Sequence, residues 1–447
     1  MDNNETITGI IEDTDRSVVF YKGKDCYEFS FMMDAVLEIG NIPKPVVVPN
    51  KNGFYWGRTH LNRKIAIYAG DEDLSVIGVK SFRTSAYVVS NRNVMPKGLQ
   101  SFTGIVFTGG TLNKVFGVNG IEIDQLSLKQ PLKINDDSVE YDVQTADEKI
   151  HIIINSVVSV RDGVERKAVE NANVSLTLLF DRELPLMEVF HHANVLRRLL
   201  SFMTYRKNVG FDTITLLAPD DDSQQPLPFA EVHIKRDVKY TEKEYFRNIT
   251  VDDLQECFPK LLAMCYSPIE QNETPLLAFV PENDDDSAIM TNAKIREICS
   301  SLEHELTLID DLQINENNLL DNLKSDVRAC VKHFRKEQPG IPEGSFGLIF
   351  SSIAKWSLSL NDRLMALCEK YSDEICAMHD GLVLTDEEIK GFTKYRNETT
   401  HGTVTRMSDE TALTAYTLAG VVYCCILSRI GVSKSEILEL AKHKLLT

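Results

Sequence analysis

Along this chain the spacing of apolar residues changes from every second position to every third or fourth, so two differently built regions are required. A length of 447 residues agrees, since it exceeds one ordinary core and calls for two or three domains of roughly 150 residues each. From the start to about residue 185 come short stretches rich in Val, Ile, Phe and Tyr: SVVFY, PVVVP, KIAIYAG, AYVVS, FTGIVFTGG, KIHIIINSVVSV and NVSLTLLF. Gly, Asn, Asp and Pro separate them, which predicts strands of a sandwich or barrel-like sheet. One helix is predicted at Leu186 to Tyr205, followed by two strand-like pieces, DTITLLA and AEVHIKR.

These elements define a β-rich N-terminal domain over residues 1–245. A helical connector follows over 246–290, where QNETP and PENDDDS mark exposed turns. From 291 to 447 the pattern is helical, with helices predicted at 292–309, 315–337, 345–370, 386–397, 408–430 and 433–446. The fold class expected is therefore α+β and multidomain, a β-rich half followed by an all-α bundle.

The formal net charge of −18 excludes a protein that coats nucleic acid non-specifically, because a polyanion is repelled by such a field. Any nucleic-acid site must be a local cluster of cations. The chain opens MDNNETITGI, without the basic start and apolar stretch of a signal peptide, so a cytoplasmic location is expected. The apolar run from Ala412 to Leu427 is shorter than the ~20 residues a bilayer requires and reads as a buried helix, with no membrane partner. The nine cysteines form no C-x-x-C pair and read as reduced, mostly buried thiols.

The predicted 315–337 helix carries two faces. Leu319, Leu320, Leu323, Val327, Cys330, Val331 and Phe334 fall on one arc, which is expected to be buried. Arg328, Lys332, Arg335 and Lys336 fall opposite, either as a solvated stripe or as contacts to RNA phosphates.

The segment LTDEEIKGFTKYRNETTHGTV carries the chemistry. Thr385 followed by Glu388 forms a capping box that starts a helix at Asp386. Thr399, Thr400 and Gly402 signal its end, which puts Arg396 in the final turn and His401 just beyond it. That matters because five residues of continuous helix would turn the two side chains about 140° apart. Arg328 and His333 share the spacing, but mid-helix and with Ala329 after the arginine, so they read as a coincidence and His333 as a surface residue.

The match RNETTHG, within a helical region, resembles the signature of the HEPN superfamily of nucleases. The order of a β-rich half before the bundle, with the FYWG stretch and the HHANVLRRLL helix, resembles the ApeA group of antiphage HEPN proteins. Such a resemblance implies a metal-independent endoribonuclease whose two motifs meet across a homodimer or higher homo-oligomer. Its RNA target, which could be transfer RNA, would be cut in abortive infection after the N-terminal domain senses a phage-derived trigger.

Chemically, His401 can take the 2′-hydroxyl proton or protonate the leaving oxygen, while Arg396 holds the phosphate and Asn397 orients the pair. Lys394 on the same helix adds a cation for RNA. The arrangement requires no metal and no cofactor. His191 and His192, beside Glu188, read as helix-surface residues rather than metal ligands, and no G-x-x-x-x-G-K-[ST], H-E-x-x-H or G-x-S-x-G motif competes. The alternative is a non-enzymatic binding protein whose bundle only dimerises and whose N-terminal half recognises a ligand. The ribonuclease is the leading reading, and the two differ on whether Arg396 and His401 face one cleft.

Overall fold

The computed structural model describes residues 6–12, 18–23, 27–32, 49–50, 52–69, 73–76, 79–91, 99–117, 121–123, 132–134, 138–162, 167–219, 225–235, 248–267, 275, 277–309, 317–337, 340, 342–354, 359–379, 381–400 and 406–445. The chain divides into two compact units, Met1–Ser267 and Pro268–Thr447. The division falls inside the expected connector, whose first part is not a linker. Its Phe258–Tyr266 helix buries Phe258, Leu261, Leu262 and Cys265 and packs on the Glu188–Thr204 helix of the first unit. Apolar residues at helical spacing need a surface to cover them, and the sheet unit supplies it.

The first unit is built on one antiparallel sheet of fourteen strands. From one edge run Ser138–Gln144, Lys149–Asp162, Lys167–Pro185, Ser101–Thr108, Thr213–Pro219, Pro226–Ile234 and Ala86–Ser90. Then come Lys64–Tyr68, Phe54–Thr59, Ile7–Ile11, Val18–Lys22, Glu28–Met32, Val79–Arg83 and Asp73–Val76. Period-two alternation does the sorting: Ile150, Ile152 and Ile154 are buried while His151 and Ile153 between them are half-exposed. Phe20, Phe29, Phe31, Tyr55, Ile65 and Tyr87 pack together as the core of the strands nearest the N-terminus. Gly57, which ends the FYWG stretch, leaves room for this packing. A Cβ there would come within 2.7 Å of the Ile10 carbonyl oxygen and 3.3 Å of the Phe20 ring.

The helix expected at Leu186 to Tyr205 forms over Glu188–Thr204 and ends on Tyr205 in the left-handed region, at φ 51°. His191 is exposed, but His192 is completely buried, contrary to the surface position expected for both. The reason is helical phase, because His192 shares its face with Val189, Val195, Leu196 and Leu199, which are all buried. Its ring accepts or donates at Nδ1 to the Tyr266 hydroxyl at 2.8 Å, and Nε2 lies 3.7 Å from Glu148 Oε1. Burial, with His191 and Arg182 nearby, lowers the His192 pKa to about 3. The ring is therefore neutral at pH 7, and its approach to Glu148 is not an ion pair.

A stability prediction follows. The folded pKa lies below the unfolded value near 6.5, so the unfolded state binds the extra proton between those limits and stability falls with pH through that window. Between pH 7 and pH 5 this group alone should remove about 2 kcal/mol from the first unit. Denaturant unfolding of wild type and His192→Phe at both pH values is the check. A loss of equal size in the two proteins would refute the assignment.

In the second unit, after the single turn Asp284–Ser287, the described helices are Asn292–Leu308, Asn317–Glu337, Glu343–Ala354, Leu360–Lys370, Ser372–Met378, Asp386–Thr400, Asp409–Ile430 and Lys434–His443. The single helix expected over 345–370 is two elements. Ser359 begins the second with a capping box to Asp362, which ends any continuous helical path. Asp409–Ile430 is the one helix among the described residues long and apolar enough to cross a membrane, and 72% of its apolar window is buried inside the unit. Val421 to Leu427 are all buried, so it is a core helix, on which Asn292–Leu308, Ser372–Met378, Asp386–Thr400 and Lys434–His443 pack.

Candidate functional site

The Asp386–Thr400 helix starts as its sequence dictates. The Thr385 backbone N–H donates to Glu388 Oε2 at 2.7 Å, and the Glu388 N–H donates to Thr385 Oγ1 at 3.3 Å. Ile389, Phe392 and Tyr395 are buried, and the Tyr395 hydroxyl donates to Asn292 Oδ1 at 2.7 Å, which ties this helix to Asn292–Leu308. The helix runs three residues past the end expected at 397. Both terminal threonine hydroxyls donate to the Arg396 carbonyl oxygen, Thr399 at 3.0 Å and Thr400 at 2.7 Å, satisfying an acceptor that would otherwise fray the last turn.

Arg396 therefore projects from the last turn and a half of a helix clamped at both ends. Its Nη2 donates to both carboxylate oxygens of Glu303, at 3.1 and 3.2 Å, and its Nη1 donates to Asn397 Oδ1 at 3.0 Å. The side chain keeps 27% of its surface exposed, so the guanidinium is held in position and still meets solvent. Cys299 lies under it, and burial pushes that thiol up to about 11 although the arginine opposes the shift. A thiol so poorly ionised is no nucleophile.

Glu303 escaped the sequence reading. The ion pair spans 93 positions, and nothing in the spacing of Asn292–Leu308 sets Glu303 apart from other surface acids. Three acids nearer to Arg396 in the chain than Glu303 have other partners. Glu398 lies 3.9 Å from exposed Lys394, Asp386 pairs with Lys390, and Glu388 closes the capping box.

His401 lies outside the described residues. Asn397 is exposed beside Arg396, and Lys394 projects from the same helix with 76% of its side chain exposed. Arg328, half-buried, and Lys332, Arg335 and Lys336, exposed, stand on Asn317–Glu337. That helix packs chiefly on Glu343–Ala354, whereas Asp386–Thr400 packs on Asn292–Leu308, Leu360–Lys370 and Asp409–Ile430. The basic stripe and Arg396 thus belong to separately packed parts of the unit. No family model, curated protein or solved structure matches the chain.

The expected buried arc of Asn317–Glu337 is corrected by the structure. Leu323 and Phe334 are each 50% exposed and Cys330 is exposed, while Val327 and Val331 are half-buried. The arc is wider than the one helix that covers it. His333 is a surface residue, 74% exposed, with Nε2 3.1 Å from Glu337 Oε1. Among the described cysteines, 265, 299, 368, 424 and 425 are buried, 257 is half-buried, and 330 and 376 are exposed.

Proposed function

We propose that the helical unit is a metal-independent endoribonuclease of the HEPN type. The observation that carries this reading is Arg396, a solvent-touching guanidinium fixed by Glu303 and Asn397 five residues before His401. A preset arginine is suited to a phosphate, because its forked donors match the oxygens and no reorganisation is needed when charge builds up. His401 would transfer the proton of the attacking 2′-hydroxyl or that of the leaving 5′-oxygen. Asn397 would steady the guanidinium, and Lys394 with Arg328, Lys332, Arg335 and Lys336 would contact phosphates along the RNA.

One histidine cannot act as base and acid in the same step, which favours two copies facing one cleft. On this reading the target is a structured RNA such as transfer RNA, the setting is antiphage abortive infection, and the sheet unit receives a phage-derived trigger. Cleavage by purified protein should persist in excess EDTA and leave 2′,3′-cyclic phosphate and 5′-hydroxyl ends. Loss in EDTA with recovery on Mg²⁺ or Mn²⁺, or 3′-hydroxyl ends, contradicts the mechanism.

A second reading, a non-enzymatic dimeric sensor, draws on the same ion pair. Glu303 already neutralises Arg396, as it would in a clip that joins two helices. The two readings part on the RNA-cleavage assay.

A further inference from the structure

The strand Pro226–Ile234 alternates like its neighbours. Val232 is buried on one face, and Glu231 and His233, two residues apart, share the other. Half-buried polar groups need a partner, and these two do not supply each other with one. His233 Nε2 lies 3.9 Å from Glu231 Oε2, too long for a hydrogen bond, and neither side chain has another hydrogen-bond partner among the described residues. The His233 side chain keeps only 14% of its surface and that of Glu231 27%. Both line a cavity of about 70 Å³ in the sheet unit.

The floor of this cavity is set in advance. Tyr87 stacks on the His233 ring, with centroids 4.5 Å apart and planes inclined by 15°, and the Tyr27 hydroxyl donates to the Ile234 carbonyl oxygen at 3.0 Å. Burial, with the Lys22 ammonium nearby, lowers the His233 pKa to about 4. The ring is therefore neutral at pH 7, and Nε2 can accept a hydrogen bond when the proton sits on Nδ1.

The Glu188–Thr204 helix forms another wall with Ala193, Asn194 and Arg197. Arg197 is exposed at the mouth and has no ion-pair partner among the described residues. Asp212, also at the mouth, already accepts the Gly110 backbone N–H at 3.1 Å. The lining thus offers two acceptors side by side, Glu231 and His233, and a guanidinium that can only donate.

That combination selects the ligand. An ammonium group placed between Glu231 and His233 would donate to both, and a carboxylate would take the forked donors of Arg197. A simple anion would meet Glu231, and a simple cation would meet Arg197. A metal finds too few ligands, since the described residues contain no group of three or more His, Cys, Asp or Glu. Size restricts the choice further. The volume is several times the ~10–15 Å³ that admits one water and well below the ~300–1,000 Å³ of pockets for drug-sized molecules.

We propose that this cavity binds a small zwitterion of the α-amino acid class, with its ammonium between Glu231 and His233 and its carboxylate toward Arg197 and Asn194. Neither reading of the helical unit is needed for this, because binding is measured on the full chain without RNA.

Calorimetric titration of the full chain at pH 7 with glycine and L-alanine is the test. At least one should bind with a Kd of ~1 mM or tighter. Acetate and ethylammonium, which carry one end each, should bind at least ~10-fold more weakly, the loss expected with one charge-assisted hydrogen bond. Glu231→Gln and Arg197→Met should each weaken the amino acid by a similar factor while unfolding at the wild-type temperature without ligand, since one is isosteric and the other lies at the surface. The comparison of the four ligands on wild type stands even if a variant fails to fold. Absence of binding by both amino acids overturns the proposal, as do two folded variants that titrate like wild type. Acetate or ethylammonium binding as tightly as L-alanine also overturns it, by assigning the cavity to a plain anion or a plain cation.

Discussion

Replacing Arg396 with Ala is expected to lower RNA cleavage by at least ~100-fold, the loss typical when a preset charge-stabilising donor is removed. His401→Ala should cost as much, because a positioned acid–base group contributes about 10²–10⁴-fold. Neither change should unfold the protein. The Arg396–Glu303 pair is partly exposed, 27% and 38%, and pairs of that kind contribute about 0–1 kcal/mol. His333→Ala is the control. It repeats the arginine-to-histidine spacing but sits on the surface beside Glu337, so cleavage should be nearly unchanged. Glu303→Gln keeps an acceptor near Nη2, and it should therefore retain more activity than Glu303→Ala if the carboxylate acts by aiming the arginine. Initial rates on a defined RNA for all five variants decide the matter. Full activity of a folded His401→Ala protein, or its loss in His333→Ala, would withdraw the site.

The largest effect on stability is expected at Glu305 and Arg429. Glu305 is 1% exposed and receives Arg429 Nη2 at 2.8 Å and Nε at 3.2 Å, joining Asn292–Leu308 to the core helix Asp409–Ile430. Burial raises the Glu305 pKa against the pull of Arg429, which marks a carboxylate whose desolvation its partner offsets only in part. Removing one partner strands the other charge. Arg429→Ala or Glu305→Ala should each cost about 3–5 kcal/mol, whereas the apolar pair Glu305→Met with Arg429→Leu should recover most of that loss. Thermal and denaturant unfolding of the three variants is the measurement. Additive losses in the double variant would show that the pair is not coupled.

Some of these features are legible in the text of the chain. Period-two runs such as KIHIIINSVVSV are strands, and the Thr385 to Glu388 box opens a helix at the residue expected. Local chemistry suffices for those, since alternation and caps act within a few residues. Other features were misread because local pattern does not say what is available to cover a face. His192 looked like a surface residue until the sheet buried its side of the helix. Leu323 and Phe334 looked like core until the bundle left them in solvent.

The sequence by itself therefore determined the two classes of element, the helix start set by Thr385, and the proximity along the chain of Arg396, Asn397 and His401. Only the tertiary structure decided that the strands join in one sheet, that Glu303 grips Arg396 across 93 positions, and that Glu305 meets Arg429 in the core. Caps and periods are energies between neighbours in sequence, whereas ion pairs and buried faces are energies between neighbours in space, and these arise only when separate helices and strands are packed.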